Sequence, residues 1–132
     1  MGGDAFGLST IGQIRVPVTD VARAEAFYRD VLGMRFLFAY PGMAFFDCDG
    51  VRLFLAAPEP GAEATERPCP VMLYFRVASV AAAHAELLRR GAEETESPRV
   101  VHRAATYDLW MAFVRDPDGN QIGVMAELPK AA

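Results

Sequence analysis

Apolar residues along this chain follow two rhythms, one with the period of a strand and one with that of a helix. Ile14-Arg15-Val16 alternates as a strand does and leads through Pro17 and Val18 into Thr19-Asp20. Val21, Ala24, Phe27, Tyr28, Val31 and Leu32 then recur at helical spacing. Asp20 stands where an N-cap accepts from the first turn's free amides, and Gly33 closes the predicted helix. The same order returns 59 residues later, with Tyr74 in the place of Arg15. Tyr74-Phe75-Arg76-Val77 leads to Ser79 as the cap, Val80, Ala83, Leu87 and Leu88 form one stripe, and Gly91 ends the helix.

Two Asp-Gly turns repeat at an offset of 69 residues, Asp47-Cys48-Asp49-Gly50 and Asp116-Pro117-Asp118-Gly119. Apolar runs flank each: 44–46 and 51–57 in the first, 109–114 and 122–126 in the second. Each half therefore reads β-α-β-β-β, an α+β pattern written twice in one domain spanning 1–132. The first module covers 11–57 and the second 71–127. Between them, residues 58–70 hold four prolines and three glutamates and read as an exposed linker.

Composition narrows the function classes. With 52% hydrophobic and 23% charged residues, the chain has enough apolar surface to fold around a core and is not a disordered segment. No apolar run approaches the length of a membrane-spanning helix, so no membrane partner is expected. The net charge of −4 comes with scattered basic residues, which gives a nucleic-acid backbone nothing to follow. The first residues show neither a basic nor an apolar signal region, and Cys48 and Cys69 read as reduced thiols, so a cytoplasmic location is expected.

Three stretches carry a family resemblance: Val16-Pro17-Val18-Thr19-Asp20, Ala26-Phe27-Tyr28-Arg29-Asp30-Val31-Leu32-Gly33-Met34, and Phe113-Val114-Arg115-Asp116-Pro117-Asp118-Gly119-Asn120. Together with the doubled pattern from Ile11 to Glu127, the chain resembles the vicinal oxygen chelate superfamily of glyoxalases, bleomycin-resistance proteins and extradiol dioxygenases. The resemblance implies two modules whose curved sheets form a glyoxalase/bleomycin-resistance-like cleft, within a chain or across a dimer. Metal-dependent relatives place ligands on the first and last strands of each half. Carried over, those positions are Gln13 and Met72, then Phe54 and Gly123. Only Gln13 offers an oxygen donor, and a thioether is a poor ligand for a hard divalent ion. No metal or other cofactor is expected, which weighs against chemistry through metal-polarised oxygens.

Strand alternation extends the candidate cleft. The parity of the four carried positions brings in Arg15, Tyr74, Met125 and, near the rim, Arg52. An even-numbered turn at each hairpin places Phe45 opposite Phe54 and Val114 opposite Gly123, so Ala112 and Trp110 are expected on the cleft side. A one-residue bulge reverses that last step. Ile14, Val16, Leu73, Phe75, Met111 and Phe113 are then left to pack against the helices. His102, read as the start of the second module's second strand, is either a cleft base or donor or an edge-strand residue. His84 is expected as a half-buried or surface helix residue, Glu93, Glu94 and Glu96 as a solvated turn, and Glu127 as a solvated strand end or a group at the cleft mouth.

The ligand-binding set is thus Gln13, Arg15, Phe45, Phe54, Met72 and Tyr74, with His102, Trp110, Gly123 and Met125 from the second half. Apolar walls with a few placed polar groups describe a small-molecule pocket. The expected function is metal-free binding of a small organic ligand, aromatic and either neutral or anionic, by a homodimer. The alternative is a lyase, isomerase or dioxygenase-like enzyme, metal-free or with a displaced metal site.

Overall fold

The computed structural model describes residues 6–7, 9–58 and 72–130. Apart from Pro58, the expected linker lies outside the described residues, as do Cys69 and the first five positions. The elements are β1 (Gln13–Pro17), α1 (Val21–Ala26) continuing as a π-helical turn (Phe27–Val31), β2 (Arg35–Tyr40), β3 (Met43–Cys48) and β4 (Val51–Ala56). The second half repeats the order with β5 (Leu73–Arg76), α2 (Val80–Arg89), β6 (Glu93–Arg103), β7 (Tyr107–Arg115) and β8 (Gln121–Pro129).

Both helices begin as their sequences dictate. The Asp20 carboxylate accepts from the Arg23 amide and the Ser79 hydroxyl oxygen from the Ala82 amide, satisfying donors that a first turn leaves free. Each half builds a four-stranded sheet of mixed direction, β1-β4-β3-β2 and β5-β8-β7-β6, and neither closes into a barrel. The first strand of each sheet runs parallel to the last, pairing Arg15 with Phe54 in one and Tyr74 with Gly123 in the other.

The two hairpins differ, and the difference moves side chains between faces. At the first, Asp49 (φ 50°) and Gly50 (φ 92°) form a two-residue turn with both residues left-handed, and Phe45 stands opposite Phe54 as expected. At the second, five residues, Asp116–Asn120, separate the paired Arg115 and Gln121, so the loop is odd-numbered. Phe113, not Val114, therefore faces Gly123, and every β7 side chain is on the face opposite to the one expected. The cause is Asp116, whose buried carboxylate accepts from the amides of Asp118 and Asn120 at 2.9 and 2.8 Å and holds a wider turn.

One core joins the helices to one face of each sheet. Ala24 and Tyr28 pack with Phe46, Leu53 and Leu55 of the first module, and Val80 and Leu87 with Val114, Ile122 and Val124 of the second. The modules are also pinned by polar contacts. The Tyr28 hydroxyl donates to Asp116 Oδ2 at 2.9 Å in the interior. Thr19 donates to Asp118 Oδ1 through its amide (2.8 Å) and hydroxyl (2.6 Å).

The glutamates after Gly91 are not a solvated turn. Glu93, Glu94 and Glu96 belong to β6, and Glu94 turns under α2 to bring its carboxylate 2.9 Å from Nε2 of the buried His84. His102 correspondingly stands near the end of β6 rather than at its start.

Candidate functional site

Strand pairing sorts the side chains into a helix-covered face and a helix-free one, here called the open face. In the first sheet the open face carries Gln13 and Arg15 on β1, Arg52 and Phe54 on β4, and Phe45 on β3. A one-residue bulge at Leu37 lets β2 contribute to both sides. Phe36 meets Phe46 edge-on over the helix side, while Phe38 and Tyr40 reach the open one.

The result is an aromatic platform. Phe45 and Phe54 stack with centroids 5.0 Å apart and planes inclined by 16°. Phe38 adds a third ring 4.8 Å from Phe45, with the Arg52 guanidinium 5.9 Å from its centroid. A cavity of about 270 Å3 opens beside this platform, lined by Arg15, Met43, Phe54 and Ala56 and roofed by the Pro41-Gly42 turn. Gly42 adopts φ +80° there, a backbone state suited to glycine. Arg15 thus stands at the edge of an apolar cavity, where a guanidinium can pair with an anion or stack on a ring.

The open face of the second sheet has a different chemistry. Tyr74, Met125, Met111 and Phe113 share it, and the pairing of β6 with β7 adds Glu96, Arg99 and His102. Gly123 lies on this face too, but its space is taken: an added Cβ would come 2.9 Å from both the Tyr74 and the Phe113 ring. Met72 is exposed, and its Sδ is 3.9 Å from the Tyr74 hydroxyl. At the far end the nearby Glu127 carboxylate pushes the Tyr107 phenol above its ordinary range. Arg99 lies 3.5 Å from Glu96 in an exposed ion pair.

Trp110 is the main correction. It pairs with Ala126, packs against the core on the helix side and does not share a face with Tyr74. Ala112 and Val114 are buried on that same side, while Met111 and Phe113 take the open face. Sequence reasoning passed over Phe38 and Tyr40, although six consecutive residues with three aromatics, Arg35–Tyr40, were the signal. Glu96, Arg99 and His102 share a face only because β6 contains three register shifts, which no alternation rule reveals.

The carried-over metal positions do not suit a divalent ion. Phe54 has no donor, the space at Gly123 is filled by rings, and Met72 offers only sulfur. Among the described residues, no group of three or more His, Cys, Asp or Glu side chains converges to hold a metal.

Doubled β-α-β-β-β modules with one open sheet face apiece define the architecture of glyoxalase-like proteins. The sequence matches the family described as Glyoxalase/Bleomycin resistance protein/Dioxygenase superfamily over residues 10–124, and the chain belongs to that family. A comparison with curated proteins finds no significant match. Solved structures share the fold. A glyoxalase-related enzyme from Fulvimarina pelagi is 20% identical, with a TM-score of 0.75 over 90% of this chain and 88% of that one. A lactoylglutathione lyase from Agrobacterium tumefaciens is 26% identical, with a TM-score of 0.70 over 90% and 94%. A glyoxalase/bleomycin resistance protein from Albidiferax ferrireducens T118 is 27% identical, with a TM-score of 0.69 over 89% and 99%. No helix among the described residues is long and apolar enough to cross a membrane.

Proposed function

We propose that this chain is a metal-independent small-molecule-binding protein that holds an aromatic, anionic ligand on the open face of its first sheet. The observation that carries the reading is the Phe45–Phe54 stack with Arg15 beside it on a 270 Å3 cavity. A flat ring laid against Phe54 gains roughly 0.5–1.5 kcal/mol beyond burial, and Arg15 supplies a cation for its carboxylate or phenolate. A lyase such as the Agrobacterium neighbour is a structural relative, but of the four carried-over positions here only Gln13 offers an oxygen donor, and no cluster of three or more His, Cys, Asp or Glu converges among the described residues.

The same faces support a homodimer. Tyr40 is 61% exposed, Tyr74 46%, Met72 39% and Phe38 38%, and apolar groups gathered on sheet faces call for a cover. A second copy of the chain provides it, and places the opposite wall over a ligand that one sheet alone would leave open to water.

The test is amide chemical-shift mapping with a panel of phenolic acids on isotopically labelled protein. Saturable shifts should cluster on β1, β3 and β4 around Arg15, Phe45 and Phe54. Shifts confined to the helices, or no saturable shift across the panel, would overturn the reading.

A further inference from the structure

A second cavity, of about 370 Å3, opens at the seam between the modules, on the helix-covered side of the second sheet and away from both open faces. Phe75, Ile122 and Val124 form its floor. Ala83, Glu86, Leu87 and Arg90, spaced three and four apart along α2 and its cap, form one wall. The opposite wall is the end of the first helix, from Val31 to Met34.

That second wall owes its shape to the π turn. The Leu32 amide reaches back five residues to the Phe27 carbonyl at 3.1 Å, and Gly33 then turns the chain at φ +73°. A side chain at Gly33 would place its Cβ 3.2 Å from Arg90 Nη1, so glycine keeps the Arg90 side of the cavity clear.

Charge is confined to the rim. Glu86 and Arg90 both line the cavity, with side chains 42% and 39% exposed. The Glu86 carboxylate accepts from Arg89 as well as from Arg90 Nε, so one anion is shared between two guanidiniums. Among the described residues Arg90 Nη1 has only a long contact, 3.4 Å, to the Asp30 carbonyl, while the Asp30 carboxylate is taken up by Arg29. Arg90 thus meets Glu86 through Nε and turns its outer guanidinium nitrogens over an apolar floor, an arrangement that can recognise an amphipathic anion.

We propose that the seam cavity binds an amphipathic monocarboxylate, its alkyl or aryl body on Phe75, Ile122 and Val124 and its carboxylate on Arg90. The site is separate from the open face, lies on a different sheet side, and does not depend on the ligand proposed there. Because residues of both modules line it, an occupant stabilises their docking by an amount that grows with the logarithm of its concentration over its Kd.

Decanoate, with decanol as its neutral counterpart, serves as the probe in titration calorimetry of the full chain. Saturable decanoate binding is expected, with decanol markedly weaker. Ala83→Phe fills the cavity and should abolish binding. Arg90→Gln, at an exposed position, should weaken it about tenfold, the usual scale of a charge-assisted contact. Arg15→Ala, on the open face, should leave it unchanged. Absence of decanoate binding, decanol binding as tightly, or Ala83→Phe and Arg90→Gln both binding like the wild type would overturn the proposal. So would loss of binding in Arg15→Ala, or dissociation of a dimer by Ala83→Phe, which would make the cavity a contact between copies.

Discussion

Tyr74 and Phe113 meet edge to face across Gly123, with ring centroids 5.8 Å apart and planes at 81°. In the first module the equivalent place is filled by Phe54, stacked on Phe45. One module therefore offers a ring where the other offers a hole that two rings cover, and the open faces are chemically unlike despite their shared strand order.

Gly123→Ala tests that cover. The new Cβ would meet both rings at 2.9 Å, and although the exposed Tyr74 has room to swing, Phe113 is 8% exposed and cannot. A loss of about 1–3 kcal/mol is expected from such overpacking, read as a lower urea midpoint. A midpoint equal to the wild type would show that the rings yield freely.

The interior contact between Tyr28 and Asp116 is a second point of leverage. Tyr28→Phe keeps the ring beside Phe27 and Phe46 but removes the donor to the Asp116 carboxylate. Asp116 retains its bonds from Asp118 and Asn120, so the turn should persist while the modules hold together less firmly. The expected cost is roughly 1.5–3 kcal/mol, the range of a hydrogen bond to a charged group. An unchanged denaturation midpoint would contradict it.

Acid should silence Glu86. Hydrogen bonds from Arg89 and Arg90 lower its pKa from 4.5 to about 2. Its folded-state value lies below its unfolded one, so its contribution is complete above the unfolded pKa and is lost as pH falls toward about 2. The stability difference between wild type and Glu86→Gln should be largest near neutrality and shrink steadily below about pH 4.5. A difference that does not depend on pH would contradict the assignment.

The proposed dimer has a simple readout. Light scattering during gel filtration should return about twice the mass of one chain, and Tyr40→Asp, on a 61% exposed ring, should lower it. A monomeric wild type would mean that the open faces stand uncovered.

Much of this architecture was legible from the residues. Asp20 and Ser79 announce helix starts because a short acceptor at an N-cap has one obvious use. Asp49-Gly50 fixes the Phe45–Phe54 pair because a two-residue turn leaves no freedom of register. The second hairpin misleads because its Asp-Gly pair sits inside a loop set by the buried Asp116, whose side-chain bonds are invisible in sequence. That single extra residue carries Trp110 from the open face to the core. His102 is a candidate from the sequence alone, but that Glu96 and Arg99 share its face escapes for the same kind of reason, since the alignment depends on bulges in β6.

The central claim, ligand binding on the first sheet's open face without a metal, is tested most directly by calorimetric titration of aromatic acids into protein shown by elemental analysis to be metal-free. The account predicts saturable binding to that protein, weakened about tenfold or more by Arg15→Ala for anionic ligands and much less for neutral ones. Binding that appears only after a divalent metal is added, or that Arg15→Ala leaves unchanged, would contradict it.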